Sequence, residues 1–389
     1  MMKRLLYIGI ILFVLTACAG TEEPASEACV GQGRVTLMLT VSNRSLTADG
    51  STGNITYPVE SEDGKLIGTQ HAETVFLYIF LGEGTRAQYV ACENIGWKEY
   101  FERQGTLPDH TAQMPYTLKY KGFRVGQTYT FLAIGLSGGA DVAFGFPDAL
   151  AEGSTLGSAL ASLSEGQSSA SIRTSEIYVG TEPFIPTGND TQTTIELWRR
   201  VAGVMGFFRN VPSAIDGRPV DALRLSLYTK QNTKMPLVER QQTPVFLDYI
   251  DSPSVDADGK VLFSLPLSDA NPGVDEEISG GGYVLPAAAP PGIDDYTLRI
   301  EAVDAAGNVL HYWRAKLPED DDLDQGNTGG GTGIIDTESA FRFPIVANHF
   351  YAIGSPENYV DLEGSGIDVD ITIDPSWAGE EDLEIKEQQ

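Results

Sequence analysis

Positive charge is what this sequence has least of. Lysine and arginine total 26 against 54 aspartates and glutamates, a formal charge of −28 over 389 residues. Nothing here could neutralise phosphates along a groove, so nucleic-acid binding is excluded. The overall balance also works against attraction to anionic lipid, while high net charge suits a soluble body exposed outside the cell. Histidine is nearly as scarce: His71, His110, His311 and His349 are the only four, and none stands in an H-E-x-x-H or H-x-x-x-H spacing. A zinc hydrolase therefore has no support. His311 and His349 lie among aromatic strand residues and read as core or edge packing.

Other absences narrow the field further. There is no G-x-S-x-G nucleophile elbow. The glycine runs "SGGGY" (279–283) and "GGGTG" (329–333) lack the Lys-Ser/Thr of a phosphate loop and read as flexible loops. In "PEDDDLDQGNTGGG" (318–331), Asp320, Asp322 and Asp324 alternate as in a calcium loop. Gly326 comes one place late, however, and no glutamate closes the loop at its twelfth position, so a solvated hairpin extension is the reading. "IDVDITID" (367–374) alternates apolar with Asp or Thr, which puts its carboxylates on the solvent face of a half-buried strand. No pair of acids is marked out for glycoside hydrolysis. The sequence thus offers no catalytic, metal or cofactor residues, and no repeat of a solenoid or propeller.

Long apolar runs are missing too. Leu5–Leu15 is the one greasy segment at the front, behind Lys3 and Arg4, and it is too short for a bilayer span of about 20 residues. It reads as an export signal over residues 1–17. Its small residues lead into a thiol, and Leu15-Thr16-Ala17-Cys18 matches the bacterial lipobox. In a chain with three cysteines, a thiol at this spot is specific, although an ordinary secretory signal with a coincidental cysteine is the alternative. Lipidation of Cys18 by two or more acyl chains would give stable anchoring. The other thiols, Cys29 and Cys92, are a candidate disulfide in an oxidising compartment. Such a bond would contribute about 4 kcal/mol by closing a loop of roughly 60 residues. Two unpaired thiols are the alternative, and spacing does not choose.

What remains is organised as strands. Residues 18–33 form a Gly/Ala/Ser/Glu-rich tether that reaches roughly 50 Å when extended. Beyond it, "VTLMLTV" alternates Val35, Leu37, Leu39 and Val41 on one face, and "TVFLYIFL" (74–81) is apolar on both. Further strands are expected at 128–136, 175–181, 193–208, 222–229 and 260–267. A hairpin is expected over 296–317, turning at Asp304–Asn308. Helical pieces are expected at Trp97–Gln104 and Pro147–Ser164. The fold class is all-β: two sandwich domains in tandem with small helical insertions, 34–190 and 191–389, in a mature chain long enough for both.

Several stretches together resemble the fimbrillin superfamily of Bacteroidota type V pili. They are "ETVFLYIFLGEG", "SEIYVGTEPF", "TTIELWRRVAGVMGFFRNVP" and "FPIVANHFYAIG". Leu197, Arg199, Val201 and Ala202 match an L-x-R-x-V-A strand, and Asn348-His349-x-Tyr351 a closing N-H-x-Y element. Ala347 departs from the arginine common before it. Glu22-Glu23 resembles the acidic surface-export signal of Bacteroidota lipoproteins. The resemblance implies transthyretin-like sandwiches, an outer-membrane location through acylated Cys18, and other fimbrial subunits as partners by strand exchange. Host or bacterial surface ligands are further candidates. In such pili a subunit is cut after an arginine near its first strand, and Arg34 and Arg44 flank that strand here. A Cys29–Cys92 bond would hold the lipidated stub after a cut at Arg34. The end "PSWAGEEDLEIKEQQ" (375–389) alternates poorly for a donor strand. Both favour an anchor or minor accessory subunit over a stalk. The competing reading is a surface glycan-binding lipoprotein using Trp97, Trp198, Trp313 or Trp377 as platforms. Trp198 and Trp313 are expected in the core, and Trp97 and Trp377 in loops.

Overall fold

The computed structural model describes residues 33–42, 44–46, 52–54, 72–106, 112–138, 140, 144–145, 150–163, 175–227, 234–238, 260–267, 277–286, 296–317 and most of 341–374. Cys18, Glu22, Glu23, Cys29, His71, His110, His349, Trp377 and the stretches 318–331 and 375–389 lie outside them. The first half contains β1 (Val35–Ser42), β2 (Arg44–Leu46), β3 (Thr52–Asn54), β4 (Ala72–Leu81) and β5 (Gln88–Gly96). After α1 (Trp97–Arg103) come β6 (Gln113–Thr117), β7 (Tyr129–Ser137), β8 (Phe144–Gly145), β9 (Leu160–Leu163), β10 (Ile177–Phe184) and β11 (Thr191–Arg199). The second half contains β12 (Ala202–Arg209), β13 (Ala214–Ile215), β14 (Arg218–Pro219), β15 (Ala222–Leu227), β16 (Lys234–Pro236), β17 (Lys260–Pro266) and β18 (Glu277–Val284). It closes with β19 (Leu298–Val303), β20 (Val309–Lys316), β21 (Phe350–Ile353), β22 (Val360–Asp361), β23 (Asp368–Asp370) and β24 (Thr372–Asp374).

Three sheets carry the architecture. The first has seven strands in the order β5-β4-β7-β10-β11-β1-β6, antiparallel throughout except for β1 beside β11. One face of it gathers Val35, Leu37, Leu39 and Val41 with Val75, Leu77, Ile79, Phe131 and Leu197, and α1 adds Trp97 and Phe101. The sheet curls around this core until its two edges meet. Glu93 of β5 accepts hydrogen bonds from the Tyr116 hydroxyl of β6 (2.7 Å) and from the Lys119 and Tyr120 amides (3.0 and 2.7 Å). One buried carboxylate thus closes the seam and satisfies donors that would otherwise be stranded.

The opposite face of the first sheet is not open to solvent. Tyr78, Phe80, Leu132, Ile134 and Val179 pack against Val201, just ahead of β12, and against Met205, Phe207, Tyr283 and Phe350 of the second sheet, β18-β12-β21-β24. The far side of that sheet, with Val204, Phe208 and Tyr351, packs on Leu225, Ile300 and Trp313 of the third, β17-β15-β19-β20-β23. Sheets covered on both faces explain the uninterrupted apolar runs: all nine residues of β7 are buried, as is Val201–Phe208.

The all-β sandwich reading stands, and the hairpin at Asp304–Asn308 joins β19 and β20. Elsewhere the structure differs. β11 pairs with β1 and β10, so the division placed at 190/191 falls ahead of the last strand of the first sheet, and the chain changes sheets between Arg199 and Ala202. The helix expected over Pro147–Ser164 is, among its described residues, a 3₁₀ turn at Leu156–Ser158 followed by strand β9. Gly153 takes φ +87° there, which breaks a helix, and Leu156, Ala159 and Ala161 join the core between the first two sheets. "SGGGY" is no loop: it lies in β18 against β12. A Cβ on Gly281 would stand 2.5 Å from the Val204 carbonyl oxygen, so the glycines permit close strand approach.

Candidate strand-addition site

β1 follows directly on the expected tether, and the sheet holds it on both sides. It runs parallel to β11 from Val35↔Thr191 to Ser42↔Trp198, and antiparallel to β6. Leu37, Leu39 and Val41 are fully buried and Val35 nearly so. Burying four such side chains contributes roughly 6–12 kcal/mol, comparable to the whole stability of a domain. A slot emptied of β1 would have to be refilled by a strand of similar pattern. The alternation that places these four residues in the slot is the one visible in "VTLMLTV".

The entrance to the slot is also built. The Gly33 amide donates to the Gly188 carbonyl (3.1 Å), and the Arg34 amide donates to Asp190 Oδ1 (2.7 Å). The Thr191 amide donates to the Arg34 carbonyl (2.9 Å). A Cβ on Gly33 would collide with the Asn189 backbone at 1.9 Å, so only glycine passes here. A cleft of about 310 Å³ opens beside this entrance, lined by Arg34, Thr117, Tyr120, Lys121, Phe123 and Asp190. Arg34 itself is exposed.

The two candidate cleavage arginines are not equivalent. Arg34 precedes β1, so a cut after it would leave the strand in its slot. Arg44 begins β2, past the end of β1, and a cut there would separate β1 from the body of the chain. Cys92 lies in β5 opposite Tyr78 and is half-buried.

A second feature sits where the chain passes between sheets. Arg199, the last residue of β11, is fully buried, and its Nε and Nη2 both donate to Glu176 Oε1 at 2.8 Å. The Tyr178 hydroxyl donates to the same oxygen at 2.6 Å and accepts from Arg199 Nη2 at 3.2 Å. The guanidinium lies 5.4 Å from the Tyr178 ring and 5.7 Å from that of Tyr283, on the second sheet. Burial works against the charge on Arg199, yet Tyr178, Glu176 and Tyr283 outweigh it and hold the pKa above its ordinary value. Burial, chiefly, pushes the Tyr178 phenol up as well, so its hydroxyl stays neutral beside the guanidinium. The sequence match to the L-x-R-x-V-A element singled out Arg199. Glu93, Glu176, Tyr178 and Tyr283 went unmarked, because nothing local in the sequence reveals which polar residues meet across strands.

The tryptophans divide differently from the sequence reading. Trp97 is the first residue of α1 and fully buried, not in a loop, because it and Phe101, one turn on, pack into the first core. Trp313 is buried and Trp198 half-buried. Neither Trp97 nor Trp313 offers an open ring to a sugar. His311 is exposed, its ring edge-on to Trp313 at 4.7 Å. Asp368 and Asp370 face Arg314 (2.7 Å) and Lys316 (3.7 Å) on the neighbouring strand β20. Among the described residues no cluster of His, Cys, Asp and Glu could hold a metal.

Residues 62–233 match the sequence profile of the Mfa2 family, the fimbrillin-A associated anchor proteins Mfa1 and Mfa2. A search of curated protein sequences returned no match. Among solved structures, the chain is similar to a fimbrial assembly protein from Parabacteroides distasonis, at 11% identity and TM-score 0.39, covering 88% of this chain and 99% of that one. It is also similar to the fimbrial anchor protein Mfa2 from Porphyromonas gingivalis, at 9% identity and TM-score 0.35, covering 82% and 90%. The profile match runs from β4 through β15, which takes in the first sheet apart from β1 and the crossing at Arg199; over that stretch, a little under half of its length, the chain is similar to the fimbrillin-A associated anchor proteins.

Proposed function

We propose that this protein is a lipid-anchored fimbrial subunit of the outer-membrane surface, an anchor or minor accessory component joined to other subunits by β-strand addition. The carrying observation is the position of β1, seated in its slot immediately behind the tether. The acyl site expected at Cys18 and the strand share one peptide. A cut after Arg44 would remove lipid and β1 together, so an anchored molecule keeps its slot filled and joins its neighbours through another strand or edge. Strand addition satisfies the backbone groups of an open edge while alternate side chains enter pockets.

A Cys29–Cys92 disulfide would reinforce this. Glu93, next to Cys92, binds the Lys119 and Tyr120 amides, and the neighbouring Leu118 amide donates to the Val35 carbonyl. The Cys92 side chain itself faces the other side of the sheet, packed with Tyr78 against the core between the first two sheets. Five residues lie between Cys29 and Val35, and the six steps span roughly 20 Å of extended chain. Peptide mapping without reductant tests the bond.

Cell fractionation tests the reading as a whole. Cys18→Ser should move the protein from the membrane to the soluble fraction when the membranes are washed at high salt, and Arg44→Ala should change neither its location nor the yield of fibres. Loss of fibre incorporation in Arg44→Ala would instead identify a processed, polymerising subunit.

A further inference from the structure

Between Asp109 and Asp141 this acidic chain contains no aspartate or glutamate at all, while Lys119, Lys121 and Arg124 fall inside the gap. The fold concentrates that gap at one pole of the first sheet. The loop from β6 to β7 meets the turn after β4 through the Gly82 amide and the Thr128 carbonyl (2.8 Å). It meets the loop after β10 through the Gly126 amide and the Pro186 carbonyl (3.0 Å). The Leu118–Val35 bond places the entrance of β1 at the same pole.

Arg34, Lys119, Lys121 and Arg124 are exposed at this pole, and none makes an ion pair among the described residues. Asp190 is nearby, but its Oδ1 is taken by the Arg34 amide, and Glu83 in the turn after β4 is followed by Arg86. Val125 and Ile185, the two most exposed large apolar side chains described, at 58% and 54%, stand beside these cations, with Leu81 at 36%. Cations ringing exposed aliphatic tips suit a bilayer surface, where phosphates meet the cations and the tips enter the headgroup layer.

The position of the pole selects this occupant. The chain leaves the described body here, at Gly33, and Cys18 lies fifteen residues before it, within roughly 50 Å of extended chain. We propose that this pole is the membrane-facing surface of the anchored protein, seated on the phosphate-bearing anionic headgroups of the bilayer that holds its lipid. The inference rests on the anchored reading above. The remaining negative charge does not forbid it, because exposed charges beyond a Debye length of about 8 Å are largely screened at physiological salt. Each cation near such a surface raises partitioning about fivefold.

The test uses the full mature chain with Cys18→Ser, unacylated, so that only the pole can bind. In co-sedimentation it should associate with phosphatidylcholine vesicles containing phosphatidylglycerol, less so as salt rises, and not with phosphatidylcholine alone. Lys119→Glu/Lys121→Glu/Arg124→Glu should lower binding at least about a hundredfold at an unchanged melting temperature. Absence of binding, equal binding to both vesicles, or an unaffected triple variant overturns the proposal. If the triple variant instead loses a fimbrial subunit that the parent chain retains, without any vesicle binding, the pole is a subunit interface and the proposal is wrong. Acylation of the native protein is read separately from its intact mass, so failure of the anchored reading and failure of this one are distinguishable.

Discussion

Replacing Arg199 by methionine removes the cation from a site with no access to water. Glu176 would keep the Tyr178 hydroxyl at 2.6 Å but lose both guanidinium contacts to Oε1. Breaking a buried pair by deleting one partner costs about 3–5 kcal/mol, a third or more of a typical domain's stability. Replacing both partners with apolar groups of similar volume is a different perturbation, because no charge is left behind. Arg199→Met/Glu176→Leu should therefore recover part of the loss and end about 1–3 kcal/mol below the parent, because the buried Tyr178 hydroxyl loses both its partners. The backbone at Glu176 is held independently of its carboxylate, since its amide donates to Ser137 Oγ and its carbonyl accepts from the Ser137 amide. Urea unfolding followed by fluorescence and circular dichroism, with slopes compared across the cycle, measures the coupling. A single-variant loss below about 1 kcal/mol, or a double variant as unstable as the worse single, would refute the argument that this pair is held by mutual compensation.

Three further outcomes follow from particular contacts. Glu93→Ala strands the Lys119 and Tyr120 amides and the Tyr116 hydroxyl at the seam; it should cost about 3 kcal/mol and raise hydrogen exchange first at those two amides. Gly281→Ala places a methyl 2.5 Å from the Val204 carbonyl and should cost about 1–3 kcal/mol, read as a lowered unfolding midpoint. Asp304, which accepts from the Asn308 side chain and the Asn308 and Ala306 amides, has its pKa held below the ordinary 3.8, chiefly by the Asn308 side chain. A depressed carboxyl stabilises the fold above its unfolded pKa and ceases to as pH falls through its folded one. Chemical shifts of the β19–β20 turn should therefore titrate with a midpoint below the ordinary 3.8 of an aspartate.

The strands legible in the sequence are those whose burial is set by their own alternation. β1 shows the period of two because one of its faces is core, and the β19–β20 turn announces itself through Asp304, Gly307 and Asn308. Both-face burial gave β4 and β7 away as apolar runs. The same property hid the boundary between units, since 193–208 reads as one continuous stretch while Arg199–Ala202 carries it from one sheet to the next. The glycines of β18 look like a loop until β12 is seen against them. Site chemistry was less visible. The flanking arginines of β1 could be read off, but their inequivalence depends on where the strand ends. Glu93 and Glu176 are two among 54 acids, and only the pairing of distant strands distinguishes them.

The central claim is that the native molecule keeps its lipid and its first strand. The intact mass of the protein taken from outer membranes tests both at once. The account predicts an unbroken chain beginning at an acylated Cys18. A lipid-free chain beginning at Ser45, with β1 gone from its slot, would contradict it.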